Sequence, residues 1–365
     1  MWVHVLWFVL GLTVLVVGAE SLVRGASRLA GSVGISPLVI GLTVVAFGTS
    51  TPEMAVSVHA SLAGTPDIAI GNVIGSNIAN VLLILGISAV IIPLLVSEQV
   101  IRQEIPVMIA ATVLLIVLAL DGRISRIDAG ILFTLVIVYT VFLILQSRRS
   151  SRVAANTPDA GRPQQSQWDR HWGVQLVLIV VGLAALVLGS RWLVESAVVF
   201  ARFIGISELV VGLTIVAVGT SLPEVATSAL AALRGERDIA IGNVIGSNLF
   251  NILAVLGVTG LVSTHGIPVA EAARNFDLWV MLAVAVACLP IMLTGREIAR
   301  WEGAVFLGYY AAYTAYLVLA AQHHTALPAY SLVMLGFVLP ITLLTIAVSV
   351  VNHGRRGNHG PGPGP

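Results

Sequence analysis

The chain has 365 residues, 57% of them hydrophobic and only 10% charged, with a formal net charge of +1 and a mean hydropathy of +0.98. That composition excludes a soluble globular protein and points to a polytopic membrane protein, and the near-zero charge gives no basis for binding nucleic acid. The single cysteine, Cys288, rules out an intramolecular disulfide and a cysteine-only metal centre.

A spanning helix needs about 20 apolar residues. Eleven tracts qualify, near 2–20, 38–62, 68–93, 104–120, 127–146, 172–190, 208–232, 239–262, 276–294, 301–321 and 328–351. The first has no basic segment before it, so it reads as a spanning helix and not a cleaved signal peptide. Residues 147–171, rich in Ser, Arg, Gln and Pro, read as a solvated linker. The glycine- and proline-rich end reads as a disordered tail. The expected divisions are a first five-helix unit (1–146), the linker (147–171), a second five-helix unit (172–321), an additional helix (322–352) and the tail (353–365).

The two units are copies. Residues 41–88 align with 212–259 at an offset of 171 without a gap, and 30 of the 48 positions are identical. The likeness continues upstream, 18–36 against 189–207, where Glu20 and Arg24 align with Arg191 and Glu195. Each copy therefore carries an i,i+4 acid–base pair of exchanged polarity. Five helices separate equivalent points, an odd number, so the second copy enters the membrane from the opposite face, the inverted repeat common among secondary transporters. The expected fold is all-α, two inverted five-helix repeats (5+5) plus one extra C-terminal transmembrane helix. All 19 basic residues are arginine, 14 of them on the linker side of the membrane and 5 on the other. By the positive-inside rule the linker and C-terminus are cytoplasmic and the N-terminus faces outward, in a cell inner membrane.

Each copy holds one acid inside an apolar segment, Glu53 and Glu224, and an intramembrane acid marks a functional site by default. Glu53 closes the run Ala46-Phe47-Gly48-Thr49-Ser50-Thr51-Pro52-Glu53, and the second copy repeats Ala217, Gly219, Thr220, Ser221, Pro223 and Glu224. Proline and glycine predict a break in the helix. Polar backbone at such depth persists only where it lines a cavity or binds something. The second half of the motif is Gly71-Asn72-Val73-Ile74-Gly75-Ser76-Asn77 with Asn80, matched by Gly242, Asn243, Gly246, Ser247, Asn248 and Asn251. Gly71 and Gly75 predict close helix packing. Ser76 and Asn80 share a helix face and are candidate cation ligands. Asp67 and Asp238 read as helix N-caps or near-caps. The donor set is all oxygen, which suits calcium, sodium or magnesium and not zinc or copper.

Paired GTS-x-PE and GN-x-x-GSN-x-x-N motifs in inverted order resemble the alpha repeats of the sodium/calcium exchanger family, within the calcium/cation antiporter superfamily. The resemblance covers both repeats. It implies an antiporter that holds calcium or sodium alternately in a central diamond of oxygens, without a resident cofactor. The implied ligands are Glu53 and Glu224 as charges, with Thr49, Ser50, Ser76, Asn80, Thr220, Ser221, Ser247 and Asn251 as polar groups and the carbonyls of Ala46 and Ala217. Some family members carry aspartate where Asn251 stands, so potassium cotransport is not implied here. A linker of 25 residues (147–171) has no room for a calcium-sensing domain.

Two other readings stay open from the residues alone. A carboxylate pair also serves a calcium/proton antiporter. His59 would be its relay, but it lies six residues past Glu53, roughly 240° round the helix, and its counterpart is Leu230. A cation channel fits an inverted repeat less well, since channels build an axial filter from repeated subunits or parallel segments. The Ser and Thr hydroxyls have no adjacent base, so no enzyme is expected. The expected partners are the ions and the lipid bilayer.

Overall fold

The structure, a computed structural model, describes residues 2–65, 67–154, 171–206, 208–345 and 347. Most of the linker and the tail lie outside these. The spanning elements are α1 (Trp2–Val33), α2 in two segments (Pro37–Thr49 and Thr51–Leu62), α3 (Ile68–Ile91), α4 (Val100–Leu118) and α5 (Arg126–Ala154). They continue with α6 (Trp172–Phe203), α7 (208–220, then Leu222–Leu233), α8 (Arg237–Val262), α9 (Ala273–Leu293), α10 (Arg300–Ala321) and α11 (Leu327–Thr345).

Three elements run past their apolar tracts. α1 and α6 are 32 residues each, so Arg24, Arg28 and Arg202 lie on helices and not in loops. α5 continues to Ala154, inside the stretch read as linker. A helix does not stop where hydropathy falls; its polar end leaves the lipid while the backbone ladder continues.

Glycine sets how the two long helices pack. A Cβ on Gly11 would lie 2.9 Å from the Gly189 carbonyl, one on Gly18 2.9 Å from the Gly182 carbonyl, and one on Gly25 2.9 Å from the Gln175 carbonyl. Residue numbers rise along α1 as they fall along α6, so these equivalent helices are antiparallel, as an inverted repeat requires. In lipid, where burial of apolar surface gives little drive, close backbone approach is the main source of helix association.

The same pseudo-symmetry appears at both membrane faces. The loop strand β1 (Leu94–Leu95) of the first repeat pairs antiparallel with β4 (Glu297–Ile298) of the second, Leu94 opposite Ile298. Between them, β2 (Arg123–Ile124) pairs with β3 (Ile267–Pro268), Ile124 opposite Ile267. Each repeat thus ties its loops into the other. α8 is entirely buried over its central window and α3 is 72% buried, while α10 and α11 are 6% and 0% buried. The core is therefore built from α2, α3, α7 and α8, and α11 is a peripheral addition to the 5+5 fold.

Glu20 also reaches beyond its own helix to Arg234 at 2.5 Å, and Arg191 and Glu195 form the i,i+4 pair at 2.7 Å. One expectation changes. Gly242 and Gly246 do permit close packing, since their Cβ positions fall 2.7 Å from the Leu38 carbonyl and 2.6 Å from the Leu42 carbonyl. Gly71 and Gly75 do not, because a Cβ there meets no described atom within 4 Å. Identical motifs meet different neighbours, so one end of the core is tight and the other loose. Asp238 sits in the first turn of α8 without capping it. The Asp67 side chain is outside the described residues.

A Cβ on Gly182 would lie 2.6 Å from the Leu22 amide nitrogen. Gly182→Val is therefore expected to lower thermal stability in detergent by about 1–3 kcal/mol, the usual scale of overpacking. Gly71→Ala, at an open position, is expected to leave the melting temperature within about a degree of the parent, consistent with a surface change of under ~0.5 kcal/mol.

Candidate ion-binding site

Each broken helix turns at a serine. Ser50 (φ −81°, ψ 5°) and Ser221 (φ −87°, ψ 4°) occupy the bridge region. The proline follows within the first two residues of the next segment, where its missing N–H removes no bond. The two segments of α2 meet at 42°. This geometry places Glu53 and Glu224 in the first turn of a fresh 12-residue helix, where the positive end of the peptide dipoles favours a carboxylate. Both acids are almost wholly inaccessible, at 0% and 1% exposure.

The repeats then exchange ligands. The Ser50 hydroxyl donates to Glu224 Oε1 at 3.3 Å, and the Ser221 hydroxyl donates to Glu53 Oε1 at 3.4 Å. Ser221 Oγ is also 3.4 Å from Ser76 Oγ. The Thr49 hydroxyl donates to Asn243 Oδ1 at 3.0 Å and lies 3.5 Å from Ser247 Oγ. Asn80 and Asn251 each begin a widened π-helical turn, a distortion that often marks a functional site. The structure thus gathers Glu53, Glu224, Thr49, Ser50, Ser221, Ser76 and Ser247 into one buried, cross-linked cluster, and it buries Asn80 and Asn251 one turn beyond Ser76 and Ser247 on the same helices. Thr220 joins it at the edge and is only partly buried.

The Ala46 carbonyl accepts the Ser50 amide at 3.0 Å and has the Thr49 hydroxyl at 3.4 Å. The break therefore does not strip it of its helical bond, and a cation would use its second lone pair. The Ala217 side chain lies outside the described residues. His59 is exposed while Glu53 and Ser57 on the same helix are buried, as its angular position implied.

Among the described residues several oxygens here have no partner: Glu53 Oε2, Glu224 Oε2, Asn80 Oδ1, Asn251 Oδ1 and Thr220 Oγ1. Buried acceptors are rarely left unpaired. Here four of the five come in symmetry-related pairs, and all are hard oxygen donors, the set that a calcium or sodium ion takes. Among the described residues no third acid, His or Cys joins the two carboxylates, so the site carries a maximum charge of −2.

Sequence reading missed a second pair of equivalent acids, one buried and one half-buried. Glu104 is fully buried and accepts bonds from Tyr139, Gln99 and Gln103 at 2.5–2.9 Å. Asp277, equivalent at an offset of 173, accepts from Tyr313 at 2.9 Å. The repeat was visible in the sequence as an acid followed by a tyrosine 35 or 36 residues later. These acids are satisfied by donors and tie α4 to α5 and α9 to α10, so they serve packing. Asn72 and Asn243 were seen as motif members without a role. Asn72 Nδ2 donates to the Glu53 carbonyl at 3.2 Å and to Ser57 at 3.1 Å, and Asn243 Nδ2 donates to Ser228 at 2.9 Å, so both brace the acid-bearing segments.

Two inverted repeats closed around one buried pair of acids define a polytopic membrane transporter. A family profile described as sodium/calcium exchanger protein matches residues 3–145 and 174–319, and the chain belongs to this family. It is 38% identical over 283 residues to the inner membrane protein YrbG of Escherichia coli, covering 77% of this chain and 86% of that one. It is 36% identical over 342 residues to the sodium/calcium exchanger MaX1 of Methanosarcina acetivorans, covering 85% and 97%. A solved structure of the sodium-calcium exchanger NCX_Mj, soaked with zero Na+ and Ca2+, superposes with a TM-score of 0.72 at 35% identity, covering 86% of this chain and 98% of that one.

Removing one of two buried charges that share a counter-ion costs roughly 3–5 kcal/mol. Glu53→Gln and Glu224→Gln are each expected to weaken calcium binding by about a hundredfold or more, with helical content and melting temperature retained. Calorimetric titration of the purified variants measures this. Near-parental affinity in either variant would show that the two acids do not share one ion.

Proposed function

We propose that the protein exchanges calcium for sodium across the cell inner membrane by alternating access. The observation that carries this reading is the crosswise linkage of the two buried acids, Ser50 to Glu224 and Ser221 to Glu53, with Glu53 and Glu224 Oε2 and Asn80 and Asn251 Oδ1 left unpartnered among the described residues. Two carboxylates match one calcium ion in charge. When calcium leaves, two negative charges remain in a dry cavity. A single acid at the bilayer centre already costs about 2.5–3.5 kcal/mol on insertion scales. Sodium ions, or protons in the alternative reading, must therefore neutralise the site before it can cross, and exchange becomes obligatory. The hydroxyl and amide oxygens of Thr49, Ser50, Ser76, Thr220, Ser221 and Ser247, with the Ala46 and Ala217 carbonyls, suit a weakly held monovalent ion beside the divalent one.

Equivalent residues differ in burial, and the difference has a direction. In the first segment of α2, Gly41, Thr43 and Thr49 are buried; in the first segment of α7, Gly212 is exposed and Thr214 and Thr220 are partly so. Asn243 is buried, while Asn72 is partly exposed. The loose end lies beside the start of α7. The other end is closed by α8 packed on α2, by Glu20–Arg234, and by Ser27 donating to Glu236 at 2.7 Å. With the N-terminus outward, as the arginine distribution indicates, the site opens to the outside. α1 and α6, glycine-packed as one unit, are the moving part and slide against α2, α3, α7 and α8.

In proteoliposomes an outward sodium gradient is expected to drive calcium uptake that survives an uncoupler. Uptake that ignores sodium and follows an imposed pH gradient would make the protein a calcium/proton antiporter. Access is tested separately with Cys288→Ser as background. Thr214→Cys is expected to react with a membrane-impermeant thiol reagent from the N-terminal face, and Thr43→Cys to resist it from either face. Equal labelling would refute a one-sided opening.

A further inference from the structure

Asn77 and Asn248 complete the GSN motifs, yet neither has an unpartnered oxygen to offer an ion. Their bonds run elsewhere. The Asn80 amide donates to Asn248 Oδ1 at 3.0 Å, and the Asn248 amide donates to Met108 Sδ at 3.2 Å. In the mirror arrangement the Asn251 amide donates to Asn77 Oδ1 at 3.4 Å, and the Asn77 amide donates to Met281 Sδ at 3.5 Å. Each chain crosses the repeat boundary twice: α3 to α8 to α4, and α8 to α3 to α9. All four asparagines are at most 3% exposed.

A side-chain amide has an ambiguous orientation. Its oxygen and nitrogen occupy nearly the same space, and turning it over exchanges acceptor for donor. For Asn80 and Asn251 the difference is decisive, since an amide nitrogen aimed at a cation repels it. A thioether has no hydrogen to give and only accepts. Met108 and Met281 line one small cavity together with Asn77 and Asn248, and most of its other walls are apolar, among them Val81, Ile252 and Ala285. Its one hydroxyl, on Thr112, donates to the Met108 carbonyl, while both amides are directed at the sulfurs. The sulfur is thus the acceptor that the Asn248 and Asn77 amide groups meet. It turns their oxygens toward Asn80 and Asn251, which in turn direct their own oxygens into the ion site.

We propose that Met108 with Asn248, and Met281 with Asn77, are positioning residues that set the amide orientation of the ion ligands Asn80 and Asn251. The proposal rests on the reading of the ion site given above. It extends the site by four residues that touch no ion, and it makes the sulfur atom, not the bulk, of each methionine the functional feature.

The test uses the full chain and calcium as the probe. Met281→Leu conserves volume and removes the acceptor, a swap that cores usually tolerate. Calcium affinity by calorimetry is expected to fall about tenfold, the lower end of the range for groups that orient a metal ligand, while the ion-free melting temperature stays at the parental value. The deciding measurement repeats Met281→Leu in an Asn251→Asp background. A carboxylate has two equivalent oxygens and needs no orienting, so there the methionine substitution is expected to leave affinity unchanged. The Met108→Leu and Asn80→Asp pair is the mirror test. An equal loss of affinity in both backgrounds would assign the methionine to packing alone and overturn the proposal, as would no loss in either. If Glu53→Gln instead keeps parental affinity, the ion-site reading itself fails, and that result is separate from the outcome of the methionine cycle.

Discussion

The structure depends on one constraint: two carboxylates stand in the interior of a protein whose solvent is lipid. Among the described residues neither forms an ion pair with an arginine or other cationic side chain. Each receives one long serine bond from the opposite repeat and sits at the start of a helix, where peptide dipoles offer partial positive charge. These contributions are small beside the full charge of an ion. A buried carboxylate with so little compensation needs a cation or a proton, and under the proposed reading the transported ions supply the cation.

Everything around the pair serves to bring one acid from each repeat to the same place. The helix breaks at Ser50 and Ser221 let a carboxylate begin a helix in mid-membrane. The crosswise serine bonds make each repeat supply a ligand to the other's acid. The short strand pairs at the membrane faces, Leu94 with Ile298 and Ile124 with Ile267, join the loops of one repeat to those of the other. The π-helical turns at equivalent places in both repeats shift the side-chain phase of α3 and α8, so that Asn80 and Asn251 point inward from helices that must also pack tightly. Symmetry is kept at the acids and lost at the glycines. Gly242 and Gly246 touch the α2 backbone, whereas Gly71 and Gly75 touch nothing described. An inverted repeat whose two halves held identical contacts would be open to both sides or to neither, and the proposed outward opening rests on this inequality.

Much was legible in the sequence because it rests on local chemistry that repeats. The apolar tracts, the doubled motif, the proline–glycine breaks and the polar residues beside Glu53 and Glu224 each depend on a few neighbouring residues. Their duplication at an offset of 171 distinguished function from coincidence. The odd number of intervening helices was enough to invert the second copy. Hydropathy alone misjudged the ends of α1, α5 and α6, since a helix continues into water wherever its backbone bonds are made.

What only the tertiary structure decided concerns partners across the fold. The ion pair of Glu20 with Arg234 joins α1 to the end of α7 and has no local sequence signal. The sequence named Gly71 and Gly75 as packing glycines on the same grounds as Gly242 and Gly246, but packing is a property of two surfaces, and among the described residues a second surface meets only Gly242 and Gly246. Glu104 and Asp277 carried the same apparent signal as Glu53 and Glu224, an acid among apolar residues. The tyrosines and glutamines that satisfy them come from sequence-distant or neighbouring turns that only folding brings into place. By itself the sequence determined the membrane class, the inverted duplication and the two acids, because composition and repetition are one-dimensional. The oxygens left without a described partner and the asparagine–methionine bonds depend on distances between segments more than 100 residues apart, and only the packed structure sets them.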